Sequence, residues 1–209
     1  KRAESEERQR RQQQSLAELS RQALTGSELA TLFTTATHSV AEVLGMELGQ
    51  LLELQPDGKT LLLRAGVGWQ AGLVGQATVP IDATIQAGYT LQTHAPVIVR
   101  DLRTETRFRP SALLTDHQVR SGMSVTIPAI DPATAATAGA YGVLGVYSRQ
   151  PRAFTTYDVD YLQAVANLLA TAIARRRTET ALQRYADLLR LSYDAIMVWR
   201  PEAGIEFWH

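Results

Sequence analysis

The sequence predicts an α+β fold: one antiparallel sheet with its terminal helices on one face and pocket-forming loops on the other. Three observations carry that prediction. Apolar residues recur at helical spacing near the start and again near the end. Between them lie runs with two-residue alternation, joined by Pro- and Gly-containing turn signals. Strands adjacent in sequence pair most simply as hairpins, which makes the sheet antiparallel. The 209 residues are 45% hydrophobic, enough for one good core with appendages.

Residues 1–23 are rich in Glu, Arg, Gln and Ala, which form helices well, and offer a sparse stripe of Leu16, Leu19 and Ala23. Two readings are open for this helix, a solvated one and a coiled-coil partner. Thr25-Gly26-Ser27 breaks it, and Ser27 is expected to cap the next helix. There Leu29, Leu32, Phe33, Ala36, Val40, Val43 and Leu44 form one apolar face, closed by Gly45. In MELGQLLEL, Leu48, Leu52 and Leu54 share a strand face. Pro56-Asp57-Gly58 is a turn, and TLLLRAGV returns as a hairpin. ATVPI reads as a third strand, residues 84–93 as a short helix and VIVRDL as a short strand. Residues 101–120 read as a long polar connection. In GMSVTIPAI, Met123, Val125, Ile127 and Ala129 face one way. DPATAATAG is expected to be a flexible hairpin loop, and AYGVLGVYS the returning strand. Thr155 with Asp158 has the spacing of a capping box that opens a long final helix.

Composition narrows the function. Lys plus Arg and Asp plus Glu balance at 21 each, so no global field draws nucleic acid or an anionic membrane. With no cysteine, disulfides, thiolate metal sites and cysteine nucleophiles are excluded. No apolar run reaches the roughly 18–20 residues of a membrane span, so no direct membrane contact and a cytoplasmic location are expected. No P-loop, G-x-S-x-G or metal-ligand spacing occurs, and His38, His94, His117 and His209 are scattered, so neither an enzyme nor a metal site is expected. His38 is expected to be a satisfied structural histidine.

The words LLRAGVGW, PVIVRDLRTETRF, VRSGMSVTI, YGVLGVYS and FTTYDVDYLQAVANLLATAIARRR resemble a GAF domain, in particular those of bacterial multidomain sensor kinases. The resemblance implies a sensory or regulatory module, of a sensor histidine kinase in the first instance, with a ligand pocket under the loops. LLRLSYDAIMVWRPEAGIEFWH resembles the opening of a PAS domain; His209 stands where that family usually has Asn, as native variation or the start of a tag. The organisation expected is a linker helix (1–24), a GAF domain (25–178), a connecting helix (179–191) and the start of a PAS domain (192–209). In AIARRRTETALQ the helical pattern continues past the arginines. Leu168, Arg175, Leu182 and Leu189, with Thr171, Thr178 and Tyr185 between them, make a heptad seam fit for a parallel homodimer through the flanking helices.

The resemblance places a pocket around Trp69, Tyr89, Asp101, Arg103, Arg107, Phe108, His117, Met123, Ser124, Thr126 and Tyr141. Arginine would clamp a phosphate or propionate and histidine would bond a ring carbonyl. The plainer reading has Asp101 capping a turn, the arginines pairing with Glu105 and Asp116, and the aromatics serving as core. The cofactor is unknown. A covalent bilin, as phytochrome relatives hold, is excluded because the chain has no cysteine; Arg109-Pro110 stands near the place of the linking Cys-His pair. Phe154-x3-Asp158 half-matches the cyclic-nucleotide signature, and Val159 follows where that signature has Glu. The expectations are a sensory module with an unidentified small molecule, or a ligand-free dimeric relay between sensory domains.

Overall fold

The computed structural model describes residues 2–130, 139–191, 197–200 and 204–208. The chain forms two compact units, Lys1–Ile173 and Ala174–His209. In the first, α1 (Arg2–Leu24) and α2 (Leu29–Leu44) precede β1 (Leu48–Leu54), β2 (Thr60–Val67) and β3 (Thr78–Pro80). Then come α3 (Gln86–Thr93), β4 (Val97–Val99), α4 (Ala112–Asp116), β5 (Ser121–Pro128) and β6 (Ala140–Ser148), and α5 (Thr156–Leu191) opens. The six strands form an antiparallel sheet in the order β3-β2-β1-β6-β5-β4. The expected α+β class holds, with α4 as an addition inside the polar connection.

On one sheet face α1, α2 and the first half of α5 enclose the main core, including Leu19, Phe33, Val40, Leu51, Met123, Leu144, Leu162 and Leu169. Of the α1 stripe, Leu19 is buried in this core, and half-buried Leu16 and Ala23 pack against it. Its register is set by polar contacts: Ser15 Oγ lies 2.5 Å from Ser39 Oγ and 2.6 Å from the Tyr161 hydroxyl. Gln12 Nε2 donates to Asp158 Oδ1 at 3.2 Å.

The capping box at the start of α5 is reciprocal. Thr155 N–H donates to Asp158 Oδ2 at 3.0 Å, and Asp158 N–H to Thr155 Oγ1 at 3.2 Å. Ser27 is not the cap of α2: the helix begins one residue later, with Glu28 at the cap position and no side-chain bond there. Gly45 closes α2 with φ 64°, and Arg152 donates to the Leu44 and Gly45 carbonyls at 2.7 and 2.6 Å. His38 is exposed on α2 and makes no side-chain hydrogen bond among the described residues, so it is not the satisfied structural histidine expected.

Two bulges change which face a residue occupies. Leu51 pairs with Ala65 and Leu52 with Leu63, so Arg64 is the extra residue in β2. Ile127 pairs with Gly142 and Pro128 with Ala140, so Tyr141 is the extra residue in β6. Leu61 and Leu63 consequently join the loop-side core while Ala65 joins the helix-side core.

In the second unit, residues 174–188 of α5 are exposed or half-buried, including Leu182, Tyr185 and Leu188 at 64%, 67% and 64%. β7 (Met197–Arg200) and β8 (Gly204–Trp208) pair as an antiparallel hairpin. The DPATAATA segment (131–138), SYDAI (192–196) and His209, where the PAS resemblance has Asn, lie outside the described residues, as does the Leu189 side chain. Among the described residues no helix is long and apolar enough to cross a membrane.

Candidate functional site

The loop face of the sheet is organised around a side-chain gap in β6. Gly145 pairs with Gln50 on β1 and with Ser124 on β5, so a glycine separates two buried polar side chains across three strands. The Tyr147 ring folds over this gap, since a Cβ on Gly145 would lie 2.6 Å from the Tyr147 hydroxyl. That hydroxyl accepts from Gln50 Nε2 at 2.8 Å, and full burial raises its pKa beyond the ordinary tyrosine value.

Opposite, α3 meets β5 through hydroxyls. Thr90 Oγ1 lies 2.8 Å from Ser124 Oγ, Gln86 Nε2 donates to Ser124 Oγ at 3.2 Å, and Thr126 Oγ1 donates to the Thr90 carbonyl at 3.1 Å. Ser124 and Thr126 thus face away from the terminal helices, as the alternation predicted, and bond to α3. Two buried acceptors here have no partner, Gln50 Oε1 and Gln86 Oε1. Burying an amide oxygen without a donor costs about 1–3 kcal/mol.

Trp69 and His117 close the end of this face. Trp69 Nε1 donates to the Gly49 carbonyl at 2.7 Å, and its ring meets His117 and Tyr147 edge-on at 4.9 and 6.2 Å. His117 is 6% exposed; Nδ1 lies 2.8 Å from the Leu113 carbonyl, and Nε2 accepts from Gln70 N–H at 3.0 Å. Those partners assign the proton to Nδ1 and use both nitrogens. The imidazole ties α4 to the Gly-rich loop after β2.

The other predicted residues separate into distinct places. Tyr89 and Phe108 pack beside β4 with ring centres 5.1 Å apart and planes tilted by 44°, and the Arg107 guanidinium lies 5.8 and 5.2 Å from their ring centres. Arg107 also bonds Glu105 Oε2 at 2.7 Å and the Ile98 carbonyl at 2.7 Å. That hydrogen-bonded guanidinium lowers the Glu105 pKa to about 2. Asp101 accepts from Arg120 Nη2 at 2.6 Å and from Arg103 N–H at 3.1 Å, which lowers its pKa to about 2. Asp101 therefore caps the turn, while Arg107 pairs with Glu105, as the plainer reading had it; Arg120 takes Asp101. Arg103 is exposed.

Met123 and Tyr141 do not belong with this group. Both lie on the helix side of the sheet, Met123 by alternation with Val125 and Ile127, and Tyr141 because the bulge turns it toward Phe33. Grouping them with Trp69 is corrected: the sheet separates them. Gln50, Gln86, Thr90 and Tyr147 are not among the residues the sequence suggested. Polar residues inside otherwise apolar strands, such as Gln50 in LGQLLEL, are the signal that could have found them. Among the described residues no three His, Cys, Asp or Glu side chains gather as a metal site.

A sequence profile of the GAF domain matches residues 28–173. The chain belongs to the GAF domain family. GAF domains are sensory and regulatory modules, and the six-stranded antiparallel sheet with helices is their fold. Solved structures agree on the fold. The GAF domain of a phosphoenolpyruvate-protein phosphotransferase from Coxiella burnetii is 15% identical, with a TM-score of 0.70 over 83% of this chain and 98% of that one. Its counterpart from Acinetobacter is 18% identical, with a TM-score of 0.67 over 81% and 97%. The phycoerythrobilin-bound GAF domain of a cyanobacterial phytochrome is 20% identical, with a TM-score of 0.64 over 81% and 98%. No curated protein sequence matches the chain.

Proposed function

We propose that this GAF domain is the sensory module of a cytoplasmic multidomain signalling protein, a sensor histidine kinase in the first instance, and is not itself an enzyme. A small molecule with hydrogen-bond donors binds under the loops and shifts the packing of α5, which passes the change to a following PAS domain. The observation that carries the reading is the pair of buried, unpartnered acceptors Gln50 Oε1 and Gln86 Oε1 on the loop face. The exposed Leu182, Tyr185 and Leu188 on α5 support a homodimer through this helix, and the β7–β8 hairpin is compatible with a PAS opening.

A second reading is favoured by a specific observation. Ser124, Thr126 and His117 are already bonded within the protein, as a ligand-free relay module requires. Native mass spectrometry of the chain separates the two. A dimer carrying extra non-covalent mass supports the sensor, and a dimer of bare mass supports the relay. A monomer at micromolar concentration contradicts the helix seam in both.

A further inference from the structure

We infer that the cleft at the outer end of β5 and β6 is a binding site for a phosphate-bearing small molecule, distinct from the loop-face cluster around Gln50 and Gln86. The cleft has a volume of about 700 Å³ and includes Arg103, Arg120, Arg149, Thr115, Gln118 and Gln150 in its lining, with no carboxylate among the lining residues. That volume suits a small organic ligand.

Backbone bonds bring the three arginine-bearing segments to one cleft. Ser121 pairs with Ser148, and Arg120 N–H also donates to the Ser148 carbonyl at 2.8 Å, one residue out of step with that register. Arg120 and Arg149, the residues just beyond this pair, both line the cleft, where like charges repel. Leu102 N–H donates to the Arg120 carbonyl at 2.6 Å, which brings the segment carrying Arg103 alongside. In a chain whose charges balance at 21 and 21, this is a local excess of cation.

Compensation is partial. Asp101 neutralises Arg120 through two hydrogen bonds, at 3.0 and 2.6 Å. Arg149 gives Nε to the His117 carbonyl at 3.1 Å, a neutral acceptor that fixes the side chain and leaves its charge unmet. Arg103 has no side-chain hydrogen bond among the described residues. Two positive charges remain, with planar donor forks that fit oxyanions. A phosphate dianion meets both, whereas a single carboxylate meets one.

Inorganic pyrophosphate is the probe. It is titrated into the full chain at constant ionic strength while the arginine Nε–Hε resonances are followed. The expected result is saturation at or below about 1 mM, with Arg103→Gln and Arg149→Gln each weakening binding about tenfold or more. Arg176→Gln, on the exposed part of α5, leaves it unchanged. The Arg103 side chain is exposed, so Arg103→Gln keeps the fold, which unfolding midpoints verify. Shifts that do not saturate, that sodium chloride reproduces at matched ionic strength, or that survive in both Arg103→Gln and Arg149→Gln overturn the proposal. Because this site shares no lining residue with Gln50 or Gln86, its failure leaves the sensory reading of the loop face standing.

Discussion

Gly49 shows how little room a single residue leaves. A Cβ there would lie 2.6 Å from the Thr37 carbonyl oxygen of α2, with Val67 and Ala41 at 3.2 and 3.3 Å. Backbone cannot yield as a side-chain tip can, so Gly49→Ala is expected to cost about 1–3 kcal/mol, read as a lower urea midpoint with an unchanged slope. Asp101 and Glu105 supply a residue-scale pH effect. Their partners Arg120 and Arg107 hold both pKa values at about 2, below the ordinary carboxylate range. A lowered folded-state pKa gives stability that is complete above the unfolded value and is lost as pH falls through the folded one. Stability should therefore fall between about pH 4.5 and pH 2. In Asp101→Asn the fall should be shallower, and an identical acid titration of both proteins would contradict this account. His117 marks what the sequence could not reveal at this scale. Its two ring nitrogens are satisfied by Leu113 and Gln70, partners that come together only through the fold.

At the scale of elements, the Thr155–Asp158 box is legible in the sequence because its logic is local: side chain and N–H lie three residues apart. Spacing does not show that Asp158 also accepts from Gln12, 146 residues away, and lies 3.8 Å from Arg8 Nη1. Thr155→Ala removes the cap alone and should cost about 1 kcal/mol. Asp158→Ala should cost more, and Gln12→Ala should have little further effect in its background, which a double-mutant cycle measures. Along α5, Arg175 and Glu179 bond at 2.8 Å, an exposed pair worth a few tenths of a kcal/mol. Such pairs do not cover Leu182, Tyr185 and Leu188. For the proposed dimer, Leu182→Glu with Leu188→Glu should give a monomer in sedimentation, with unit Lys1–Ile173 still folded. Of the heptad set, Leu168 is half-buried, and Thr171, Arg175 and Thr178 are exposed with Leu182 and Tyr185.

For the first unit as a whole, α1 is structural. Leu19 is 1% exposed, and Ser15 holds α1 to both α2 and α5. Leu19→Ala should cost about 2–5 kcal/mol, comparable to much of a typical domain's stability of about 5–15 kcal/mol. Thermal unfolding tests it: a midpoint indistinguishable from that of the parent protein would show that α1 does not share the core. A helix so attached is in position to feel changes in the capping box of α5.

Periodicity and turn signals by themselves determined the elements other than α4, their order, the antiparallel sheet and the division into a helix-covered and a loop-covered face. Those features rest on local spacing: about 3.6 residues per turn in a helix, and about two per repeat in a strand. The same spacing placed Met123 beside Val125 and Ser124 beside Thr126, with opposite faces for the two pairs. Tertiary structure alone decided the rest. The bulges at Arg64 and Tyr141 reset the facing of the residues at and beyond them, and no alternation pattern signals them. Gln50, Gly145, Ser124 and Gln86 form one polar row, closed by a Gln50–Tyr147 bond that spans 97 positions of sequence. Arg103, Arg120 and Arg149 border one cleft because backbone bonds join three segments, and charge convergence across segments leaves no mark in any local window of sequence.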